Sequence, residues 1–201
     1  MSERVGVFGG TFDPIHIGHL AAAQDAADAL DLTRVLFVPN RRPPHKVGLV
    51  VSPAKDRLAM VELSIAGNPR FQLSTIEFER DGLSYTLDTL RELRRHNSGT
   101  ELIFLTGCDA LSQLHTWSRP RELLDEFQIA IMDRPTGKQV SWEAVEERFP
   151  AIRHQVEIVH VVQLNISSDE IRRRVTTGHS IKYYVVPAVE EYIVEHGLYV
   201  E

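Results

Sequence analysis

A chain of 201 residues with a formal net charge of −6 can bury one substantial core without staples, so residues 1–201 read as a single domain. Its 22 Lys and Arg are interspersed with 28 Asp and Glu, which excludes the basic excess of a general phosphate-backbone binder and argues against a nucleic-acid partner. The single cysteine, Cys108, excludes an internal disulfide and a cysteine-based zinc site; with no apolar segment of membrane-spanning length and no basic-then-apolar leader, the expectation is the reducing cytoplasm and no membrane partner.

Arg4-Val5-Gly6-Val7-Phe8 is an apolar run of single-strand length, and Ala21 to Leu30 is an Ala-rich helix. The twelve residues between, Gly9 to Leu20, form a strand-to-helix turn. Gly9 and Gly10 let backbone approach a ligand where a Cβ would collide, and the helix start offers free N–H groups and partial positive charge. His16 and His19, three apart in the first helical turn, project from one face, with Gly18 leaving room for a ligand against the helix. A tight turn with surface histidines is the plainer alternative, but strand, Gly-Gly-Thr turn and His-x-Gly-His start in one line favour a phosphate site. Arg34–Val38 gives a second strand, completing a right-handed βαβ unit with parallel strands. The fold class is α/β.

Pro39-Asn40-Arg41-Arg42-Pro43-Pro44-His45-Lys46 is a loop, because its prolines fix φ and remove donors. It leaves the carboxyl end of the second strand, where open α/β sheets bind ligands beside the reversal of strand order. Arg41, Arg42, His45 and Lys46 there face phosphate or solvent; the residues leave both open. Ser52 before Pro53 reads as the N-cap and N1 proline of a helix to about Ala66, with Asp56, Arg57 and Glu62 as solvated charges. Phe71–Ser74 and Ile76–Phe78 alternate apolar and polar, predicting a strand or pair of strands with one wet face. Ser84-Tyr85-Thr86 opens a helix over Leu87–His96 and reads most simply as capping.

Leu102–Thr106 is the continuous apolar run of a strand buried on both faces. It ends in Gly107-Cys108-Asp109, where Asp109 suits the N-cap of a short helix. Trp117 is core or a stacking face. Phe127–Met132 is another buried strand, Trp142–Phe149 a surface helix, and Glu157–Leu164 a β-branched run that closes the sheet. The next stretch, Asn165 to Arg174, enters a helix in which Ser167 and Glu170 fit a capping box. Serine hydroxyls, free N–H groups and Arg172 one turn in make a second anion site. Tyr183 to Ile193 reads as a proline-started helix packed back on the domain.

Gly10-Thr11-Phe12-Asp13-Pro14 followed by His16-Ile17-Gly18-His19 resembles the nucleotidyltransferase signature shared by nicotinate- and nicotinamide-nucleotide adenylyltransferases, phosphopantetheine adenylyltransferase and some cytidylyltransferases. The Pro-Pro-His-Lys loop, Ser84-Tyr85-Thr86 with Thr89 and Leu90, Gly107 with Asp109, Trp117, Arg134-Pro135, Ile166-Ser167-Ser168 with Arg172, and the terminal Gly-Leu-Tyr are similar to the nicotinate-nucleotide adenylyltransferases over nearly the whole chain.

The resemblance implies a Rossmann-like doubly wound, mostly parallel sheet, and transfer of AMP from ATP to nicotinate mononucleotide in NAD biosynthesis, with Mg²⁺ arriving on the triphosphate. It implies ATP contacts at Gly9, Gly10, Thr11, Phe12, His16, His19, Gly107, Asp109, Ile166, Ser167, Ser168 and Arg172. Mononucleotide contacts are implied at His45, Lys46, Ser84, Tyr85, Thr86, Trp117 and Arg134, and catalytic charge stabilisation at His16, His19, Lys46 and Arg172. Asp169 stands where the family carries Thr, and is expected to point away from a triphosphate. Phosphopantetheine or nicotinamide-mononucleotide adenylyl transfer, or a nucleotide-binding regulator without turnover, are the alternatives; a homo-oligomer is compatible with the sequence.

Overall fold

The computed structural model describes residues 2–43, 51–133, 142–150 and 152–200. The expected phosphate ligands His45, Lys46 and Arg134 lie outside the described residues. Six strands, β1 (Glu3–Gly10), β2 (Arg34–Pro39), β3 (Phe71–Leu73), β4 (Thr100–Gly107), β5 (Gln128–Asp133) and β6 (Val156–His160), form one sheet in the order β3-β2-β1-β4-β5-β6. Every pairing is parallel, and β1 sits between β2 and β4, with Phe8 opposite Phe37 on one side and Leu105 on the other. Strand order reverses between β1 and β4, so the connections leaving their carboxyl ends run to opposite faces and open a crevice.

Side chains alternate across each strand and fill two apolar layers. Phe8, Val35, Phe37, Ile103, Leu105 and Met132 meet the helices α1 (Ile17–Ala29), α2 (Ala54–Ile65), α7 (Ser168–Thr176) and α8 (Pro187–Glu195). Val5, Val7, Leu36, Leu102, Phe104 and Ile131 meet α3 (Thr86–His96), α4 (Cys108–Ser112), α5 (Pro120–Glu126) and α6 (Trp142–Arg148). Helix α1 approaches the sheet closely because Ala22, Ala23, Ala26 and Ala27, all buried, line its inner face. No helix among the described residues is long and apolar enough to cross a membrane.

Four expectations give way to tertiary contacts. Strand β6 stops at His160 instead of reaching Leu164, because the Val162 N–H donates to the Asp25 carboxylate on α1 (2.6 Å) and the chain turns off the sheet. Residues Ile76–Phe78 form a 3₁₀ turn rather than a strand, which carries Glu77 inward. Helix α2 starts at Ala54 with Pro53 at the cap position, so neither a Ser52 cap nor an N1 proline is present. Asp56 and Arg57 are buried rather than solvated, while Glu62 is exposed.

The alanine face yields a test. Ala26→Leu forces side-chain bulk between α1 and the sheet and is expected to cost about 1–3 kcal/mol, read as a lower urea midpoint at unchanged slope. Ala29→Leu, on the exposed face, should stay within about 0.5 kcal/mol of the parent.

Candidate active site

The crevice is walled by the turn from β1 to α1. Phe12 adopts a left-handed backbone (φ 49°), and its ring fills the place where a Cβ on Gly10 would stand, 2.8 Å from two ring carbons. Gly10 therefore makes room for Phe12, and ligand approach on that side is not what its missing side chain provides. The ring stands edge-on to Phe8 and to His19, with centroids 5.5 and 5.2 Å away.

Under the turn lies Arg57 from α2, 1% exposed. Its guanidinium donates to the carbonyls of Thr11 (2.6 Å) and Ser52 (3.1 Å). Burial lowers the Arg57 pKa, and the carboxylate of buried Asp13 opposes that shift. Asp13 accepts from the Tyr199 hydroxyl (2.8 Å) and the Ser52 N–H (3.3 Å). Burial first, and the Asp13 charge second, push the Tyr199 phenol well above its ordinary range, so it is a fixed donor.

His16 is the N-cap residue of α1, not part of its first turn, and His19 is at the third helical position. The two imidazoles stack, centroids 3.7 Å apart and planes 24° from parallel. The His16 backbone N–H donates to His19 Nδ1 (3.2 Å). A neutral His19 therefore carries its proton on Nε2, as a donor. Gly18 lines a hollow beside the helix, as expected, and its bare backbone has a second use: a Cβ there would stand 3.1 Å from His16 Nδ1 and 3.2 Å from its Cε1. Its missing side chain seats the His16 ring.

The second anion site comes to the same turn. Ser167 caps α7 by accepting the Glu170 N–H (3.2 Å), but Glu170 does not complete the box, because its carboxylate is held by Arg173 (2.8 and 2.7 Å). Ser168 Oγ donates to the Pro14 carbonyl (2.8 Å) and Arg172 to the Asp13 carbonyl (2.6 Å). The other terminal nitrogen of Arg172 pairs with Asp169. Asp169, whose side chain is largely exposed, makes this pair within the first turn of α7. Ile166 lies half-buried in the segment leading to the cap.

Two cavities open at the carboxyl ends of β1 and β4. One, of about 310 Å³, brings together Ser84, Tyr85, Thr86 and Trp117, expected together as mononucleotide contacts, and adds Gly9 and Thr11, expected as ATP contacts. Trp117 is braced edge-on by Phe104, centroids 5.9 Å apart. Ser84 is a structural link as well as a wall, exchanging hydrogen bonds with the Arg42 backbone (3.0 and 3.2 Å). A second cavity of about 150 Å³ is lined by Phe8, Gly18, His19, Ala22, Gly107 and Met132. Neighbouring residues of the same strands thus separate two hollows, and His19, stacked on His16, lines the smaller one.

Other expected residues are placed differently. Arg41 turns from any phosphate to the Arg80 carbonyl (2.7 Å) and Asp81 (3.3 Å). Asp109 is exposed inside α4, whose cap is Gly107, so the N-cap reading fails. Asn40 and Glu77, which the sequence did not single out as site residues, also wall the larger cavity, with Thr89 of the Ser84–Leu90 pattern. Glu77 was hidden by the apolar-polar alternation of Ile76-Glu77-Phe78, which mimics a half-buried strand.

A family model described as cytidylyltransferase-like matches residues 7–174. The chain is 45% identical to a probable nicotinate-nucleotide adenylyltransferase of Thermomicrobium roseum, covering 98% of this chain and 92% of that one. It is also 45% identical to a probable nicotinate-nucleotide adenylyltransferase of Thermus thermophilus, covering 98% and 99%. The chain belongs to the nicotinate-nucleotide adenylyltransferase family. In fold it is similar to Plasmodium falciparum nicotinic acid mononucleotide adenylyltransferase complexed with NaAD, with a TM-score of 0.80 at 22% identity, covering 98% of this chain and 97% of that one.

For this family member the Gly18 contact predicts a separation of stability from turnover. Gly18→Ala should leave the thermal midpoint nearly unchanged, because the helical gain of alanine offsets the contact. Displacing the His16 ring should lower kcat by about tenfold or more, given how steeply rate depends on placement. Equal wild-type and variant turnover would show that the ring position is immaterial.

Proposed function

We propose that the chain transfers the adenylyl group of MgATP to nicotinate mononucleotide, giving nicotinate adenine dinucleotide and pyrophosphate in NAD biosynthesis. The observation that carries this reading is the pair of hollows on either side of the β1–β4 carboxyl ends, with the stacked histidines beside them. Family membership supports the substrate pair, and the reaction belongs to the cytoplasm.

In the proposed reaction the 5′-phosphate of the mononucleotide attacks the α-phosphorus of ATP in line. The new P–O bond forms as the bond to the β-phosphate oxygen breaks, and pyrophosphate leaves with that electron pair. The nucleophile is already ionised at neutral pH, so no general base is required, and catalysis is positioning plus charge stabilisation. His19, through Nε2–H, and His16 donate to phosphate oxygens; Arg172 at the start of α7 neutralises charge, with Ser167, Ser168 and Ile166 shaping that anion site. Lys46, His45 and Arg134 complete the phosphate ligands by resemblance. Gly107 and Asp109 serve the adenosine side. Mg²⁺ enters as part of the ATP substrate; the described residues gather no group of three or more carboxylate, imidazole or thiol ligands.

The larger cavity supports the pyridine ring against Trp117, with the start of α3 beside it. Helix-start N–H groups suit a carboxylate better than an amide, whose NH₂ would leave donors facing donors. Trp117 also argues against a flexible phosphopantetheine acceptor.

Pyrophosphate release from ATP, measured with nicotinate mononucleotide, nicotinamide mononucleotide and phosphopantetheine, tests the reading. The acid should exceed the amide by about tenfold or more in kcat/KM, the cost of one buried unpaired group. Turnover with none of the three would leave a binding protein instead. His19→Ala should keep the fold and lose about 100- to 1,000-fold in kcat, the usual worth of one preorganised donor; a folded variant with near-parental turnover would remove His19 from the chemistry.

A further inference from the structure

Glu77 is 4% exposed and reaches the wall of the larger cavity from the 3₁₀ turn after β3. One of its carboxylate oxygens accepts the Thr89 hydroxyl (2.8 Å). The other accepts the Asn40 side-chain amide (3.2 Å) and the Arg41 backbone N–H (3.3 Å). Thr89 is buried too, and its oxygen receives Arg80 (2.6 Å). The hydroxyl has a single proton and two acceptors within reach, Glu77 and the Tyr85 carbonyl (3.2 Å). While Glu77 takes it, that carbonyl still accepts the helical N–H of Thr89 (3.1 Å) and the Arg80 guanidinium (3.5 Å).

One carboxylate therefore ties together the loop leaving β2 and the first turn of α3. Both line the cavity assigned above to the pyridine ring. Burying a carboxylate costs more than an apolar side chain of similar size would, and three donors offset that cost only while the walls keep this spacing. We infer that Glu77 is a positioning residue for recognition of the substrate carboxylate: it fixes the distance between Asn40 and the Tyr85–Thr86 helix start, so that donors are aimed before the mononucleotide arrives. The inference rests on the acid-specific reading of the cavity.

The negative charge of Glu77 also works against an acidic substrate. Positioning and repulsion therefore predict opposite signs when the charge is removed. If positioning dominates, Glu77→Gln lowers kcat/KM for nicotinate mononucleotide by about tenfold or more, the loss expected when site donors are no longer aimed. The amide, which does not depend on those donors, should change by less than about threefold, and KM for ATP should stay within about twofold.

Thr89 carries no charge and isolates the positioning effect. Thr89→Val should lower the acid-to-amide ratio in the same direction, and Thr89→Ser should restore it. The ratio is measured by competing the two mononucleotides at limiting ATP, for the parent, Glu77→Gln, Thr89→Val and Thr89→Ser. A parent that prefers the amide would overturn the acid-specific reading and this inference together. A parent that prefers the acid, with a Glu77→Gln ratio that is unchanged or raised, would overturn this inference alone. Should Glu77→Gln fail to fold, the Thr89 pair decides: a ratio that Thr89→Val leaves unchanged also overturns it.

Discussion

The site depends on a buried guanidinium beneath a turn. Between Gly10 and the start of α1 the chain must reverse out of the sheet and leave backbone carbonyls without partners in any strand or helix. Arg57 supplies donors there, taking the Thr11 carbonyl of the turn together with the Ser52 carbonyl ahead of its own helix. Arginine suits this role because its donors are fixed in a plane and its charge persists when buried. The cost of that burial is offset by Asp13, itself satisfied by Tyr199 and Ser52. Removing any one partner would leave a buried polar group exposed to the apolar layer, which is why the turn behaves as a unit.

Two distant segments close the same turn from above. Helix α7 contributes Ser168 and Arg172 to the carbonyls of Pro14 and Asp13, and the carboxyl-terminal segment contributes Tyr199. The Tyr184 carbonyl accepts the Ile17 N–H (3.0 Å) at the first turn of α1. The histidine pair thus rests on contacts from α2, α7 and the end of the chain. Phosphoryl chemistry that works by positioning needs such over-determination, since its catalytic groups form no covalent bond to the substrate that would hold them in place.

The larger cavity shows the same economy in another form. Its apolar side is Trp117 braced by Phe104, and its polar side is a closed network through Glu77, Thr89, Asn40 and Arg80. Low exposure makes each of these hydrogen bonds stronger and each omission more costly. A ring can be sandwiched by the first side and oriented by the second.

The residues by themselves determined the α/β class, the starts of all six strands to within a few positions, and the helix starts that follow His16 and Ser167. They did so because these signals are local: apolar run length, glycine and proline punctuation, and cap residues act within a few positions. The grouping of Ser84, Tyr85, Thr86 and Trp117 was legible through resemblance, and the cavity brings them together. Only the tertiary structure decided what the polar residues do. Arg57 and Asp56 stand in a helix whose charges look solvated, and Glu77 sits in an alternation that looks like a strand; each is buried because a partner far along the chain meets it. The roles of Gly10 and Gly18 differ from these, since the rings that crowd them, Phe12 and His16, are near neighbours in the chain whose placement the backbone of the turn sets. Hydrogen bonds and steric contacts between segments distant in the chain depend on where each segment is held, and no local pattern carries that information.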